Sequence, residues 1–212
     1  MKVAVVGGTG SFGQAVAKRL VAAGFDVVIG SRDAQRAREI AGLLGAEGEA
    51  NDDAVRDVDL VLFAVKADAA VETARELRQS IGSTPVLSVC AELSFGAGGV
   101  KPTGEATSIA KRIEDELDAP VVAGLHSLAA AGLADAPSDE DAFVCGDDAI
   151  AKALALDLAA RLVSGRAVDA GPLAGARALE GMTAVIVNVN RRYKAHAGLR
   201  LTGLPSTEPA SE

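Results

Sequence analysis

The sequence has few aromatic residues: no tryptophan, one tyrosine and five phenylalanines among 212 residues. This scarcity excludes a module that binds nucleic acid by stacking bases on aromatic rings. A formal net charge of −8 argues against nucleic acid as well, because binding to a phosphate backbone requires a basic face. Any basic residues that bind an anion must therefore be few and local.

Cysteine and long apolar runs are also scarce. The two cysteines, Cys90 and Cys145, form neither a metal-binding spacing nor a disulfide framework, and we expect both to be buried thiols. No stretch reaches the roughly 18–20 apolar residues of a membrane helix, and the first apolar run is too short for a signal peptide. These absences predict a cytoplasmic protein without a metal and without a nucleic-acid or membrane partner.

Hydrophobic residues make up 49% of the chain and fall into alternating strand and helix patterns. Short β-branched runs predict strands over 2–6, 25–30, 57–65, 84–89, 119–125, 139–146 and 165–171, with a weaker strand over 46–50. Helical spacing predicts helices from residue 11 and over 31–45, 67–80, 106–117, 148–163 and 174–196. The glycine-rich stretch 91–105 is predicted to be a loop. The alternation predicts an α/β fold: a Rossmann-type, doubly wound, mostly parallel sheet with a C-terminal helical extension.

The stretch GGTGSFG carries the spacing G-x-G-x-x-G at the corner between the first predicted strand and helix. In the dinucleotide-binding fingerprint Gly8 allows a tight turn, Gly10 lets backbone amides approach a pyrophosphate, and Gly13 lets the helix pack against the strand. The helix N-terminus adds unpaired N–H groups and the positive end of its dipole. This context predicts a pyrophosphate site rather than a plain glycine-rich bend. We assign to that site the six residues Gly8, Thr9, Gly10, Ser11, Phe12 and Gly13.

The end of the second predicted strand indicates which dinucleotide binds. An NAD site usually has an acidic residue about 20 residues past the glycines, where it binds the ribose 2′-hydroxyl. Here Ser31 can donate to a 2′-phosphate, and Arg32 can bind it or stack beside it. Arg36 follows one helical turn later on the same face, and Ser31 or Asp33 is the candidate cap of that helix, a role that would account for the acidic Asp33. The sequence therefore predicts NADP(H), with a solvated arginine pair on a surface helix as the alternative.

Five blocks of the sequence resemble the NADPH-dependent reductases of the deazaflavin coenzyme F420: VVGGTGSFG, VIGSR, LHSLAAAGLAD, VCGDD and DAGPLAGARALEGMTAVIVN. They run from residue 5 to residue 188 in the family's order, and the last three are the more specific. The resemblance implies direct hydride transfer between the nicotinamide and the deazaflavin, held face to face by the protein. It also implies a homodimer whose interface includes the C-terminal helical region.

The resemblance assigns Thr9, Ser31, Arg32 and Arg36 to NADP, His126 and Leu128 to the paired rings, and Arg177 and Thr183 to the deazaflavin. His126 follows a predicted strand, where open sheets bind ligands, and its expected role is positioning or hydrogen bonding. Leu128 is expected to pack on a ring and limit water. For His126 and Arg177 a structural role is the alternative, in the latter case a salt bridge.

Two positions depart from the family pattern. Gly181 replaces an expected polar residue, and Lys66 replaces a more usual apolar residue or proline after its strand. These departures leave the deazaflavin contacts open. Lys66 is either a contact to a phosphate or acidic tail of the ligand, or a solvated lysine.

An acidic group in the second half of the chain could suggest a cation site, but its spacing matches no calcium loop. We expect it to form a solvated rim, with one of its last two members capping the following helix. The group consists of Asp139, Glu140, Asp141, Asp147 and Asp148.

We expect residues 1–165 to form an NADP-binding Rossmann-like domain and residues 166–204 a C-terminal helical extension. That extension would contribute to the deazaflavin site and to the dimer contact, and residues 205–212 are expected to form a disordered tail. Two other functions stay open. One is a related NADPH-dependent reductase of flavin, ferric iron or a cyclic imine, and the other is a non-catalytic NADP-sensing module.

Overall fold

A computed structural model of the chain describes residues 1–103 and 105–204, so the predicted tail over 205–212 lies outside the described residues. The strands are β1 (Lys2–Val6), β2 (Asp26–Ser31), β3 (Glu47–Ala50), β4 (Leu60–Phe63), β5 (Val86–Ser88), β6 (Leu93–Gly96), β7 (Gly99–Pro102), β8 (Val121–Gly124), β9 (Ala142–Gly146) and β10 (Ala167–Asp169). The helices are α1 (Ser11–Ala22), α2 (Ala34–Leu44), α3 (Asn51–Ala54), α4 (Ala67–Ile81), α5 (Ile109–Glu114), α6 (Ala130–Leu133), α7 (Ala149–Leu162) and α8 (Ala176–Tyr193).

Eight strands form one sheet in the order β10-β9-β8-β5-β4-β1-β2-β3. The strands from β3 to β8 in this order pair in parallel, whereas β9 runs antiparallel to β8 and β10 runs parallel to β9. The predicted Rossmann-type, mostly parallel sheet is therefore confirmed. Because β1 pairs with both β2 and β4, the strand order reverses at its carboxyl end, where open sheets of this type bind ligands.

Helices cover both faces of the sheet. Successive residues of a strand point to opposite faces, so Val3 and Val5 pack with α1, α2 and α7, whereas Ala4 and Val6 pack with α4, α5 and α8. Burial on both sides explains why the central strands are continuous apolar runs in the sequence. No helix within the described ranges combines the length and the apolar character needed to cross a membrane.

The predicted loop over 91–105 is wrong, because β6 and β7 pair there as an antiparallel hairpin. Gly99 turns the chain at a φ of +104°, which favours glycine. The side-chain amide of Asn188, on α8, then binds both backbone groups of Val100: it accepts from Val100 N at 2.8 Å and donates to Val100 O at 2.6 Å. This contact spans 88 residues of sequence, so no local pattern indicated it. The short helices α3 and α6 were also not predicted.

Candidate active site

Two adjoining clefts open at the carboxyl ends of the central strands. The wide cleft, of about 590 Å³, is lined by residues 10–13, 64–68, 89–93 and Phe95. The narrow cleft, of about 400 Å³, is lined by Gly7, Thr9, Gly10, Ser31, Arg32, Asn51, residues 64–66, Asp68, Ala69 and Thr73. Both volumes are in the range of small-molecule sites, and the shared lining residues make the two clefts one trough.

The tight turn after β1 is made by Gly7. Its φ is +79°, and a Cβ there would lie 2.6 Å from the carbonyl oxygen of Ala64. Gly8 lies in the same turn, and a Cβ on it would lie 2.8 Å from Val5 O and 2.8 Å from Ile29 Cγ2, so the turn needs glycine at 8 as predicted and at 7 as well. The amide of Gly8 donates to the carbonyls of Val5 and Gly30, at 3.1 and 3.2 Å. Gly8 thus fixes β1 against β2.

The start of α1 has the features of an anion site. A Cβ on Gly13 would lie 2.6 Å from the carbonyl oxygen of Gly7, so only glycine lets α1 begin this close to the turn. The first turn of α1, which lies wholly within the described residues, has no acidic residue, and its N-cap Gly10 makes no side-chain cap. Gly10 lines both clefts, and Gly7 O is the one atom within 4 Å of a Cβ built on it. The free N–H groups and open space there fit a dinucleotide pyrophosphate.

The narrow cleft ends at Ser31 and Arg32. Ser31 is the last residue of β2, and its hydroxyl oxygen accepts from Asp33 N at 3.2 Å, which leaves the hydroxyl proton free for a ligand. Asp33 caps α2 as predicted, accepting from Arg36 N at 3.1 Å. Arg32 is exposed and lines the narrow cleft, whereas Arg36 lies on the exposed first turn of α2 outside the lining of both clefts.

Sequence reasoning missed Asn51 at this end of the trough. Its amide oxygen is buried and has no hydrogen-bond partner among the described residues. A Cβ on Gly30 would lie 2.9 Å from that oxygen, so glycine at 30 makes room for it. Asn51 follows β3 directly, and the rule that ligands bind at carboxyl ends of strands could have found it.

His126 lies beneath the wide cleft rather than in its lining. Its Nε2 is 3.0 Å from the carbonyl oxygen of Cys90, a cleft residue. Burial lowers the pKa of His126 to about 4, so the ring is neutral near pH 7. Since a carbonyl oxygen only accepts, Nε2 carries the proton, and Nδ1 has no partner among the described residues.

A strained residue sets the position of His126. Leu125 is fully buried with a φ of +64°, a left-handed conformation that costs a leucine about 1–2 kcal/mol. The carbonyl of Leu125 accepts from Leu128 N at 3.0 Å, which closes a turn around His126. Thr183 of α8 donates its hydroxyl to His126 O at 3.1 Å. The structure therefore brings His126, Leu128 and Thr183 together, with Leu128 buried in the core.

Arg177 lies elsewhere. Its Nε donates to Glu105 O at 3.1 Å and its Nη2 to Thr103 O at 2.6 Å, which fixes the chain after the hairpin. It lines a separate cavity of about 350 Å³ that includes Ser108 and Lys111. The ligand contacts assigned to Arg177, Thr183, His126 and Leu128 stay predictions.

The hairpin supplies a wall of the wide cleft that sequence reasoning missed, because it took this stretch for a loop. Phe95 is 62% exposed at the cleft edge, and the Arg191 guanidinium lies 5.4 Å from the centre of its ring. The partly buried carboxylate of Glu92 accepts from Arg112 at 3.3 Å and from the Thr103 hydroxyl at 2.8 Å.

Both cysteines are buried free thiols, as predicted. Cys90 donates to Val65 O at 3.1 Å, and burial raises its pKa to about 12. Burial likewise raises the pKa of Cys145 to about 11. Neither group is a thiolate near neutral pH.

The solvated rim predicted for the acidic group is wrong for Glu140 and Asp141, which are buried. Burial opposes the charge on Asp141, but hydrogen bonds from Arg166 and from Leu201 N outweigh burial and lower its pKa to about 2. The cap was predicted correctly, because Asp148 accepts from Ala151 N at the start of α7. Among the described residues, no group of three or more His, Cys, Asp or Glu side chains could hold a metal ion.

Known proteins resemble this chain along its length. Residues 2–92 match the family model described as NADP oxidoreductase coenzyme F420-dependent. The chain is 33% identical over 226 residues to the F420-dependent NADP reductase of Methanothermobacter thermautotrophicus, covering 98% of this chain and 97% of that protein. It is 32% identical to the F420-dependent NADP reductase of Methanocaldococcus jannaschii, covering 96% of this chain and 99% of that protein.

The fold is shared with a solved structure as well. A crystal structure from Arthrobacter sp. FB24, of a protein named as a candidate F420-dependent NADP-reductase, has a TM-score of 0.83 at 23% identity. The similarity covers 96% of this chain and 100% of that one, and at this identity it concerns the fold alone. The identities of 33% and 32% along almost the whole chain show that the chain belongs to the family of F420-dependent NADP reductases.

Proposed function

We propose that the protein is an oxidoreductase that transfers a hydride directly between NADP(H) and coenzyme F420. The observation that carries the proposal is the trough itself, in which the narrow cleft ends at Ser31 and Arg32 while the wide cleft opens beside the glycine turn. A dinucleotide lying along this trough has its 2′-phosphate at Arg32 and its nicotinamide in the wide cleft. The wide cleft then has room for a second flat ring against the first.

When bound, NADP(H) and F420 supply the hydride donor and acceptor, so the chain's own task is to bind, orient and exclude water. Ser31 and Arg32 bind the 2′-phosphate, and the start of α1 binds the pyrophosphate. Phe12 and Phe95 form apolar walls that limit water around the rings. His126 acts as a neutral donor that fixes the Cys90 carbonyl in the floor of the wide cleft.

The full set of proposed site residues follows the motifs. The proposed NADP contacts are Gly8, Thr9, Gly10, Ser11, Phe12, Gly13, Ser31 and Arg32, with Arg36 added from the family resemblance although it lies outside the lining of both clefts. The resemblance also proposes His126, Leu128, Arg177 and Thr183 for the paired rings and the deazaflavin; of these, His126, Leu128 and Thr183 lie together beneath the wide cleft, and Arg177 lines the separate cavity. Residues 1–165 serve as the NADP-binding domain, and residues 166–204 serve as the extension that completes the ring site through α8.

We also propose a homodimer in which α8 contributes to the interface. Val185 is 57% exposed on this helix, and Val189 and Tyr193 follow it at intervals of four residues on the same exposed face. An apolar stripe of this kind is stabilised by a partner that covers it. The two buried free thiols fit a reducing compartment, so we place the reaction in the cytoplasm.

The test is a spectrophotometric assay of the purified protein with NADPH and oxidised F420, following loss of the deazaflavin's visible band. Bleaching that requires NADPH, with FMN, FAD, ferric iron and cyclic imines inert, supports the proposal. Turnover of one of those acceptors but not of F420 would assign the protein to a related reductase. Tight NADPH binding with every acceptor inert would identify a nucleotide sensor.

A further inference from the structure

Lys66 lies where the two clefts meet. It follows β4, is the N-cap residue of α4, and has an extended backbone and an exposed side chain. The residues common to both clefts are Gly10, from the glycine turn, and Ala64, Val65, Lys66 and Asp68, from the adjacent strand end. Lys66 therefore stands beside the glycine turn at the passage between the clefts.

A dinucleotide in this trough has its pyrophosphate at that passage. Its 2′-phosphate lies at the Arg32 end of the narrow cleft and its nicotinamide in the wide cleft, so the group that links the two halves must cross the shared residues. The N-terminus of α1 offers about half a positive charge. A pyrophosphate carries two negative charges, so most of its charge must be balanced by something other than the helix.

Lys66 can supply a full positive charge at this point. Arg32 and Lys66 are the cations in the lining of the two clefts. No ion pair among the described residues involves Lys66, whereas Lys2, Lys18 and Lys152 each pair with a carboxylate. Asp68 also lines both clefts, and its carboxylate opposes an anion there, which increases the need for a nearby cation.

We propose that Lys66 binds the pyrophosphate of NADP(H), a role separate from that of Arg32 at the 2′-phosphate. The inference rests on the proposed function, since it takes NADP(H) as the ligand of the trough. NAD(H) has the same pyrophosphate and lacks the 2′-phosphate, so both dinucleotides depend on Lys66. Adenosine 2′-monophosphate has the 2′-phosphate without the pyrophosphate, so its binding depends on Arg32 and not on Lys66.

The test is isothermal titration of the full chain with NADP⁺, NAD⁺ and adenosine 2′-monophosphate. We expect Lys66→Gln to raise the Kd of both dinucleotides about tenfold, the low end for a charge-assisted contact that stays partly solvated, and to leave the monophosphate unchanged. Arg32→Ala should weaken NADP⁺ and the monophosphate and spare NAD⁺. Lys66→Arg keeps the charge and should restore most of the dinucleotide affinity.

Lys2→Gln is the matched control. It makes the same change of charge at the amino-terminal ends of the strands, away from the clefts. Lys2 is the first residue of β1, and its contact to Glu47 is long, at 3.9 Å. It should leave all three Kd values unchanged. Thermal unfolding of each variant checks that the fold is intact.

Three outcomes would overturn the inference. Unchanged Kd values in Lys66→Gln would show that Lys66 does not bind the ligands. Weaker binding of adenosine 2′-monophosphate as well as the dinucleotides would mean that Lys66 binds the 2′-phosphate instead of the pyrophosphate. Wild-type protein that binds no dinucleotide would refute this inference and the proposed function together. Wild-type protein that binds NADP⁺ through Lys66 but leaves F420 unreduced would refute the proposed function alone.

Discussion

The two ends of the trough are built in different ways. At the narrow cleft, Gly7 and Gly10 lie in the turn between β1 and α1, and Ser31 ends the neighbouring strand. At the wide cleft, the hairpin is held by Asn188 across 88 residues of sequence, and His126 is held by Thr183 across 57. Backbone sterics fix the end proposed for the phosphates (the phosphate end), whereas side chains of α8 fix the end proposed for the rings (the ring end).

Because of this difference, mutations at the two ends of the trough should have different effects. A change in the glycine turn distorts the backbone of β1 and β4, so it should cost both stability and dinucleotide affinity. A change in the α8 contacts loosens the hairpin wall, which Asn188 of α8 holds through Val100. It should affect the second substrate while the dinucleotide still binds.

The largest effect is expected from Gly7→Ala, which breaks the phosphate end. The new Cβ combines a left-handed φ with backbone overlap at Ala64, and the unfolding free energy should fall by about 3 kcal/mol, with loss of NADP⁺ affinity. Urea unfolding and titration measure the two effects. Gly24→Ala is the control, because Gly24 has a φ of +86° but nothing within 4 Å of a Cβ, so it should cost about 1 kcal/mol and spare affinity.

At the ring end, the buried His126 should make the free energy of unfolding depend on pH. The folded pKa of His126 is about 4, below its ordinary value of 6.5, so the unfolded chain binds an extra proton between these values. The stability is present above pH 6.5 and falls as the pH drops towards 4, by about 2 kcal/mol between pH 7 and pH 5. Burial raises the pKa of Glu180, so this residue changes the stability with pH in the opposite direction. The contribution of His126 is therefore measured as the difference between the stability curves of the wild-type protein and His126→Gln. Parallel pH curves for the two proteins would contradict it.

Arg32→Ala tests the assignment of the phosphate end to the 2′-phosphate of NADP(H). Loss of a charge-assisted contact to the 2′-phosphate should raise the KM for NADPH about thirtyfold and leave that for NADH nearly unchanged. Steady-state kinetics with each coenzyme measure this. Arg38→Ala is the control, because Arg38 lies on α2, is paired with Glu49 and lines neither cleft, so this change should alter neither value. Equal effects of Arg32→Ala on both coenzymes would remove the 2′-phosphate assignment.

The smallest effect is expected from Asn188→Ala, which breaks the ring end alone. Without its two bonds to Val100 the hairpin is less fixed, and the KM for F420 should rise about fivefold while the Kd for NADP⁺ is unchanged. Asn190→Ala is a close control, because Asn190 lies on the same helix and makes the same pair of bonds to Ala197 instead. If the two variants behave alike, the hairpin is not part of the ring site.

The same difference explains which features could be predicted from the sequence. The alternation of strands and helices and the cap at Asp33 depend on neighbouring residues, and both were predicted, whereas β2 extends one residue beyond the predicted strand, to Ser31. The additional role of Gly7 in the tight turn was missed, because the motif fixes the spacing of glycines but not which of them has a positive φ.

The errors lie where distant segments meet. A glycine-rich stretch forms the β6–β7 hairpin, and the side chain of Asn188 fixes it through Val100 from a distant part of the chain. Asp141 is buried because Leu201 and Arg166 supply hydrogen bonds, and nothing in the local pattern indicated that the chain near its end returns to this point. The position of Lys66 at the passage likewise depends on how two strand ends adjoin.

The state of Cys90 has a consequence for chemical durability. This sulfur lies in the floor of the wide cleft, yet it is protonated, buried and donating to two carbonyl oxygens. Peroxide and alkylating reagents attack thiolates, so such a group reacts slowly with both. The wide cleft is thus lined by a sulfur that both kinds of reagent modify slowly.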